Sequence, residues 1–301
     1  MTPVHHITVC VCTYRRPELL KLLLLRLADQ ENGGLFDHSV VVVDNDVLKS
    51  AKSVVEKIAT SAQIPIIYHV EPRRNIALAR NKALESVEGD FVAFIDDDEL
   101  PVPDWLLRLL KTCLQTGVDG VLGPVVPRYE VEPPIWVTKS RLYDRPRHQT
   151  GVLIDRSEGR TGNLLFRRSL LHGEVSVFRP QFGSGGEDRD LFARWMNAGR
   201  RFAWCDEAVA YEAVPAVRWK SSFLIRRALL RGQMSLGQAQ GRMMKVMRSC
   251  VAVPLYIFAL PFLWCAGRHV FMKYAISLFD HLGRLLACLR LRPIKETYVT
   301  E

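Results

Sequence analysis

Two apolar periodicities alternate over the first 127 residues, and this alternation restricts the fold more than any other feature of the chain. Short apolar runs at 7–12, 40–43, 66–70, 91–95 and 121–125 read as buried strands. Between them, residues 17–28, 48–62, 76–87 and 103–116 carry helical spacing, and Pro17 and Pro103 suit first helical turns, where a missing N–H costs nothing. Strands and helices in turn, with short connections, predict an α/β domain whose mostly parallel, Rossmann-like central sheet has helices on both faces. Ligands of such sheets bind beyond the carboxyl ends of the strands. Thr13, Asp44 and the acidic run Asp96, Asp97, Asp98, Glu99 all fall there.

That acidic run is the second constraint. Four negative charges directly behind an uncharged strand repel one another, and aspartates spaced by one residue offer hard oxygen ligands to Mg²⁺ or Mn²⁺. A solvated turn is the plainer reading, which the position at a strand's end disfavours. A second acidic group, Glu187-Asp188, follows the glycine loop "GSGG" and opens a helix that runs to Gly199. Its charges suit a helix N-terminus, and a carboxylate there also suits general-base work. The loop gives it freedom to close over substrates. Asp190 stands in reserve.

Residues 128–159 have no clear period and read as a long loop. "TGNLLFRRSLL" reads as a strand leading into a helix, where Asn163 is equally an interior strand residue or an acceptor contact. With 301 residues, 48% of them apolar, the chain suffices for a sizeable domain plus an extension. Its seven scattered cysteines contain no C-x-x-C pair, which argues against a zinc site or a disulfide framework and fits a reducing compartment. The start lacks the basic region and apolar length of a signal peptide.

Charge divides the chain. From Ala213 onward there are 14 Lys/Arg and three acidic residues, whereas the first 212 residues carry 27 basic and 29 acidic groups. Basicity therefore belongs to the tail, which points to an anionic membrane or a polyanion near the tail rather than to a nucleic-acid-binding core. Within the tail, residues 249–267 are 19 in a row without a charge, a membrane-span length. Pro254 and Pro261 interrupt them and basic residues flank both sides, so a membrane hairpin or in-plane helices are expected over a single span. A buried core helix is the alternative. The expected division is a catalytic domain at 1–235 and a basic, apolar helical membrane-association segment at 236–301.

Taken in order, "CTYRRP", "VVVVDND", "NIALARNKAL", "FVAFIDDDE" and "GGEDRDL" resemble the inverting family 2 glycosyltransferases with the GT-A fold, over roughly residues 5 to 235. More narrowly, "CTYRRPE", "NIALARN", "FIDDDE", "GPVVPRY" and "SGGEDRD" resemble the succinoglycan-type glucosyltransferases of bacterial exopolysaccharide assembly. The resemblance implies a UDP-sugar donor, UDP-glucose in that subgroup, and a polyprenyl-diphosphate-linked oligosaccharide acceptor. Both would be met at the cytoplasmic side of the inner membrane. It implies that Thr13 and Tyr14 line the base, that Asp44 bonds the uracil and that Arg80 contacts the nucleotide. Asp96 would face ribose and diphosphate beside Asp97, Asp98 would bind the metal, and Asp188 would be the base. Arg226, Arg227 and Arg231 are candidates for the diphosphate or anionic lipid, and Trp219 for packing. Two rivals are a sugar-nucleotide nucleotidyltransferase, which would need a glycine-rich basic loop after the first strand, and a non-catalytic membrane scaffold or glycan-binding protein.

Overall fold

The structure, a computed structural model, describes residues 5–183, 185–235, 242–291 and 293–294. Its strands are β1 (His5–Thr13), β2 (Phe36–Asp44), β3 (Ile66–Val70), β4 (Phe91–Phe94), β5 (Glu99–Pro101), β6 (Gly120–Leu122), β7 (Val125–Tyr129), β8 (Leu164–Arg167), β9 (Phe202–Trp204) and β10 (Ala210–Val214). Its helices are α1 (Pro17–Ala28), α2 (Lys52–Ala59), α3 (Ile76–Leu84), α4 (Trp105–Thr116), α5 (Ile135–Ser140), α6 (Glu187–Asn197), α7 (Ser221–Ser235), α8 (Arg242–Cys265) and α9 (Arg268–Cys288). They form two compact units, one of Met1–Pro127 with Arg145–Ala213, the other of Arg128–Asp144 with Val214–Glu301.

The first unit is built on a seven-stranded sheet of order β3-β2-β1-β4-β8-β6-β9. The first four strands are parallel, with Thr13 beside Asp44 and Cys10 beside Phe94, so their carboxyl ends lie in a row. β8 is antiparallel to both β4 and β6. Strand pleating sorts the side chains. Val9, Val11, Val40, Val42 and Ala93 face Leu20, Leu24, Val55, Trp105 and Leu109 of α1, α2 and α4. Cys10, Val41, Val43, Val92 and Phe94 face Ala79, Ala83, Phe192 and Trp195 of α3 and α6 on the other side. Because both faces are covered, the strands read as unbroken apolar runs.

Several local expectations differ from the structure, among them helix α5 inside the stretch 128–159 expected as a loop. The strand expected at 121–125 divides into β6 and β7 at Gly123-Pro124. Proline has no N–H for a ladder, and the Pro124 carbonyl instead accepts from Asn163 Nδ2 at 2.9 Å and from the Ala210 N–H at 3.0 Å. The helix expected from residue 48 begins at Lys52, since the preceding turn is held by Asp44. The helix expected after β8 is a single 3₁₀ turn, Arg168–Leu171.

In the second unit α8 runs unbroken through Pro254 and Pro261. Gly267 turns the chain, and α9 returns antiparallel. Trp264 packs edge-on to Phe271 with ring centroids 4.9 Å apart, and Ser249 Oγ lies 2.9 Å from His281 Nδ1. α7 and α9 meet backbone to backbone: a Cβ on Gly232 would lie 2.1 Å from the Asp280 carbonyl, and one on Gly283 2.3 Å from that of Leu229. Asp280 accepts from Arg231 Nε at 2.8 Å and pairs with Arg284, so Arg231 serves this crossing. Trp219 leans on Tyr129, ring centroids 5.7 Å apart, as a packing residue. Among the described residues α8 is the one helix long and apolar enough to cross a membrane. Val251, Leu255, Phe258, Phe262 and Trp264 stand exposed along it, which is not how a soluble core helix sits.

Candidate active site

The acidic turn begins where β4 ends, in the row of carboxyl ends. Asp97 is 6% exposed, and both its oxygens are engaged: the Thr13 hydroxyl donates to Oδ2 at 2.7 Å and Arg16 Nη1 to Oδ1 at 3.2 Å. It therefore points neither to solvent nor into the open cleft. Burial pushes its carboxyl up to about 6, against Arg16 and with the help of Asp98's charge. The same Arg16 nitrogen donates to Asp98 Oδ2 at 3.2 Å. Glu99 is fully buried and pushed well upward by that burial and by the charges of Asp96 and Asp98, with Arg145 opposing. Asp96 is the open member, its side chain 49% exposed. Crowding against the protein, together with Asp98 and Asp188, still moves its carboxyl upward against Arg80. Gly162 lies flat on the pair, for a Cβ there would stand 2.8 Å from Glu99 Oε1 and 3.0 Å from Asp96 Oδ2.

On the β2 side, Tyr14 carries the guanidinium of Arg15 at 5.1 Å and that of Arg74 at 4.7 Å from its ring centroid. Asp44 is fully buried. It accepts from the backbone N–H groups of Asp46 at 3.1 Å and Ala51 at 2.7 Å, and from the Tyr68 hydroxyl at 3.0 Å. The carboxylate expected to face a uracil thus faces the backbone of its own turn. Asn45 stitches that turn to α3, donating to the carbonyls of Glu71 and Arg73, each at 2.7 Å, and accepting from Asn75 N at 3.0 Å.

The third side is the start of α6. Gly186, at φ 92°, adopts a left-handed conformation that other residues rarely take, and Glu187 and Asp188 follow in the first turn. Asp188 is half-buried and accepts from Arg189 N at 2.7 Å. Its charge contributes to the upward shifts of both Glu187, where burial is the larger cause, and Asp96, and its neighbour Glu187 is linked to Asp96 through Arg80. Glu187 is buried and ion-paired to Arg80 Nη1, whose Nη2 reaches Asp96 Oδ1 at 3.3 Å. Arg80, 7% exposed, thereby spends both terminal nitrogens on carboxylates. Asp190 turns away to Arg179 at 3.2 Å and Arg194 at 3.0 Å. Asn163 is fully buried, its amide donating to Pro124 and Ala208 and accepting from Trp105 Nε1 at 2.7 Å. It is an interior strut, not an acceptor contact.

The structure therefore brings Thr13, Arg80, Asp96, Asp97 and Asp98 together at the carboxyl ends of the strands, with Tyr14 next to Thr13 and with the start of α6, which carries Asp188, tied in through Glu187. Reading the residues alone did not find Arg16, Glu99's burial, Gly162 or the Arg80–Glu187 pair. Only Arg16 had a local signal, as a cation in "CTYRRP" across from the acidic turn. Among the described residues no three His, Cys, Asp or Glu side chains converge into a closed metal cage. The donor set is open: Asp98 and Asp96 carry hard oxygens amid an excess of carboxylates, where burial first and then mutual repulsion raise Asp96 and Glu99. An Mg²⁺ or Mn²⁺ ion that keeps waters and shares its other positions with phosphates fits such a set.

Comparison with known proteins bears on the family and the fold. The chain is 39% identical over 234 residues to succinoglycan biosynthesis protein ExoM of Rhizobium meliloti, covering 76% of this chain and 73% of the relative. It is 29% identical over 152 residues to glycosyltransferase AglE of Haloferax volcanii, covering 50% and 48%. Among solved structures, the Pyrobaculum calidifontis mannosyltransferase PcManGT, in complex with GDP-Man and Mn²⁺, superposes at TM-score 0.63. It is 20% identical over 98% of this chain and 89% of the other. S. aureus TarS 1-349 in complex with UDP-GlcNAc superposes at 0.53, with 17% identity over 96% and 93%. These likenesses carry the GT-A fold. The model of glycosyl transferase family 2 matches residues 8–173, more than half of the chain, and with the ExoM relative it places this glycosyltransferase in that family.

Proposed function

We propose that the enzyme moves a hexose, in our reading glucose, from a UDP-sugar to a hydroxyl of a polyprenyl-diphosphate-linked oligosaccharide with inversion at the anomeric carbon. The observation that carries this reading is the meeting of Asp188 with the Asp96–Asp98 turn in one cleft, joined through Arg80. The relative named for succinoglycan biosynthesis supports a role in glycan assembly, and the solved complexes with GDP-Man and with UDP-GlcNAc support a nucleotide-sugar donor.

In this mechanism Thr13 and Tyr14 line the base, and Asp44 acts from beneath by fixing the turn that carries Asn45 and Asp46. Asp96 faces ribose and diphosphate, while Asp97 braces the acidic turn through Thr13 and Arg16. Asp98, with Asp96 beside it, would hold a divalent ion, and the chemistry that ion would supply when bound is to offset charge developing on the UDP leaving group. Asp188 takes the proton of the acceptor hydroxyl as its oxygen bonds to the anomeric carbon from the face opposite UDP. The bond between the anomeric carbon and UDP breaks, and an α-linked donor gives a β-linked product. The second unit, with the exposed apolar length of α8 and Arg242, Lys245, Arg248 and Arg268 at its ends, seats the enzyme on the cytoplasmic face of the inner membrane.

Transfer of radiolabelled glucose from UDP-glucose to a lipid extract tests this directly. The wild-type chain is expected to label the lipid fraction, and Asp188→Asn to lose about 10²–10⁴-fold of that rate with UDP binding kept. Equal labelling by Asp188→Asn removes the base assignment, and no labelling with any UDP-sugar removes the donor class.

A further inference from the structure

Helix α3 grips the segment that leads to Asp188 at successive points. Its N-cap Asn75 accepts from Leu78 N at 3.1 Å and donates through Nδ2 to the Pro180 carbonyl at 2.9 Å. The Ile76 N–H donates to the Gly183 carbonyl at 3.1 Å. One turn on, Asn81 exchanges two hydrogen bonds with Phe178, Nδ2 to its carbonyl at 2.6 Å and Oδ1 from its N–H at 2.9 Å. Between these lies Arg80, with its guanidinium carbon 5.6 Å from the Phe178 ring centroid, one nitrogen on Glu187 and the other on Asp96. Residues 178–183 and the first residue of α6 are therefore pinned to one helix, and a single side chain continues the connection to the acidic turn.

A guanidinium that recognises a phosphate or a base edge presents its planar fork to the ligand. Here the fork ends on two protein carboxylates, one of them buried, so releasing it toward a nucleotide would strand Glu187 as an unpaired buried charge. We propose that Arg80 is a positioning residue, setting the separation between the Asp188-bearing helix and the acidic turn instead of contacting the donor nucleotide. The proposal rests on the glycosyl-transfer reading in taking Asp188 as the group positioned. Lysine cannot replace it, because one ammonium lacks the two separated donors that reach Glu187 and Asp96 together.

The test uses the full chain in detergent, with UDP affinity in Mn²⁺ by calorimetry, transfer from UDP-glucose, and deuterium uptake of peptides covering residues 185–190. Arg80→Met is expected to keep its UDP Kd within about fivefold of wild type. Its transfer should fall ~100-fold, the scale of a small misplacement of a reacting group, and uptake at 185–190 should rise. Arg80→Lys is expected to stay slow and to show the same rise in uptake. The double variant Arg80→Met, Glu187→Gln removes the stranded charge, so it keeps the test open if the single variant does not fold. A larger loss of UDP affinity with unchanged uptake would make Arg80 a nucleotide contact and overturn the proposal, as would full activity of Arg80→Lys. If the wild-type chain neither binds UDP nor transfers sugar, the glycosyl-transfer reading fails alone. Deuterium uptake still decides whether Arg80 holds the segment.

Discussion

The Thr13 hydroxyl donates to Asp97 Oδ2 across 2.7 Å, and through this bond the end of the first strand is tied to the acidic turn behind the fourth. Arg16 takes the other oxygen of the same carboxylate. The acid in the middle of the turn is thus a buried strut, and holding it ionised in the folded chain has a cost that depends on pH.

That cost has a definite sign. Folded Asp97 titrates near about 6, above the ~3.9 of an unfolded aspartate. Below about pH 4 it is protonated in both states and costs nothing. As pH rises toward 6 the folded chain keeps a proton that the unfolded chain has lost, so stability falls, by about 2–3 kcal/mol once both are ionised. In chelator-treated protein, Asp97→Asn is expected to gain stability over wild type as pH rises from about 4 to 7, read from urea midpoints. A difference that stays flat across this range defeats the account.

Metal dependence is the outcome expected from the open donor set at Asp98 and Asp96. Treatment with a chelator is expected to abolish transfer, and added Mn²⁺ or Mg²⁺ to restore it. In calorimetry Asp98→Asn should weaken Mn²⁺-dependent UDP affinity at least about tenfold. Identical UDP affinity with and without the ion would remove the divalent site.

Gly162 leaves the two carboxylates beneath it their room. A Cβ 2.8 Å from Glu99 Oε1 and 3.0 Å from Asp96 Oδ2 forces one carboxylate aside. Gly162→Ala is expected to lose about 1–3 kcal/mol of stability by overpacking, seen as a lower urea midpoint. A variant as stable as wild type, with unchanged transfer, would mean that the turn yields freely.

Much of this was legible in the residues, for a physical reason. Strands covered on both faces must be apolar throughout, so Val40–Val43 announces itself, and the row of carboxyl ends follows from parallel pairing. β8 was not legible in its direction: Leu164–Phe166 reads the same whether it runs with β4 or against it, and pairing sense is decided by partners distant in sequence. Asp44 marked a strand's end correctly, but no local pattern tells a carboxylate that faces a ligand from one that caps its own turn. Burial of Glu99 and Glu187 depends on Gly162 and Arg80, which lie far along the chain from them.

The apolar face of α8 gives a prediction of its own. Flotation with vesicles containing anionic lipid should carry the wild-type chain, less strongly at high salt. Replacing both Phe258 (74% exposed) and Phe262 (66% exposed) by serine removes about 1.5–3 kcal/mol of burial each, at least ~100-fold in partition. Equal flotation by the double variant would mean that this face does not enter the lipid.

The antiparallel strand β8 has one consequence for how the protein is made. The half of the sheet from β3 to β4 is complete once residue 94 has left the ribosome, whereas the strand that seals the outer edge of β4 begins at residue 164. For that interval of synthesis the nascent chain carries an open ladder of unpaired peptide groups on Phe91–Phe94, a template for pairing with other chains. The strand that ends in the acidic turn is therefore the one left waiting for its last neighbour, and conditions that slow translation between these two strands should lower soluble yield before they touch the activity of what folds.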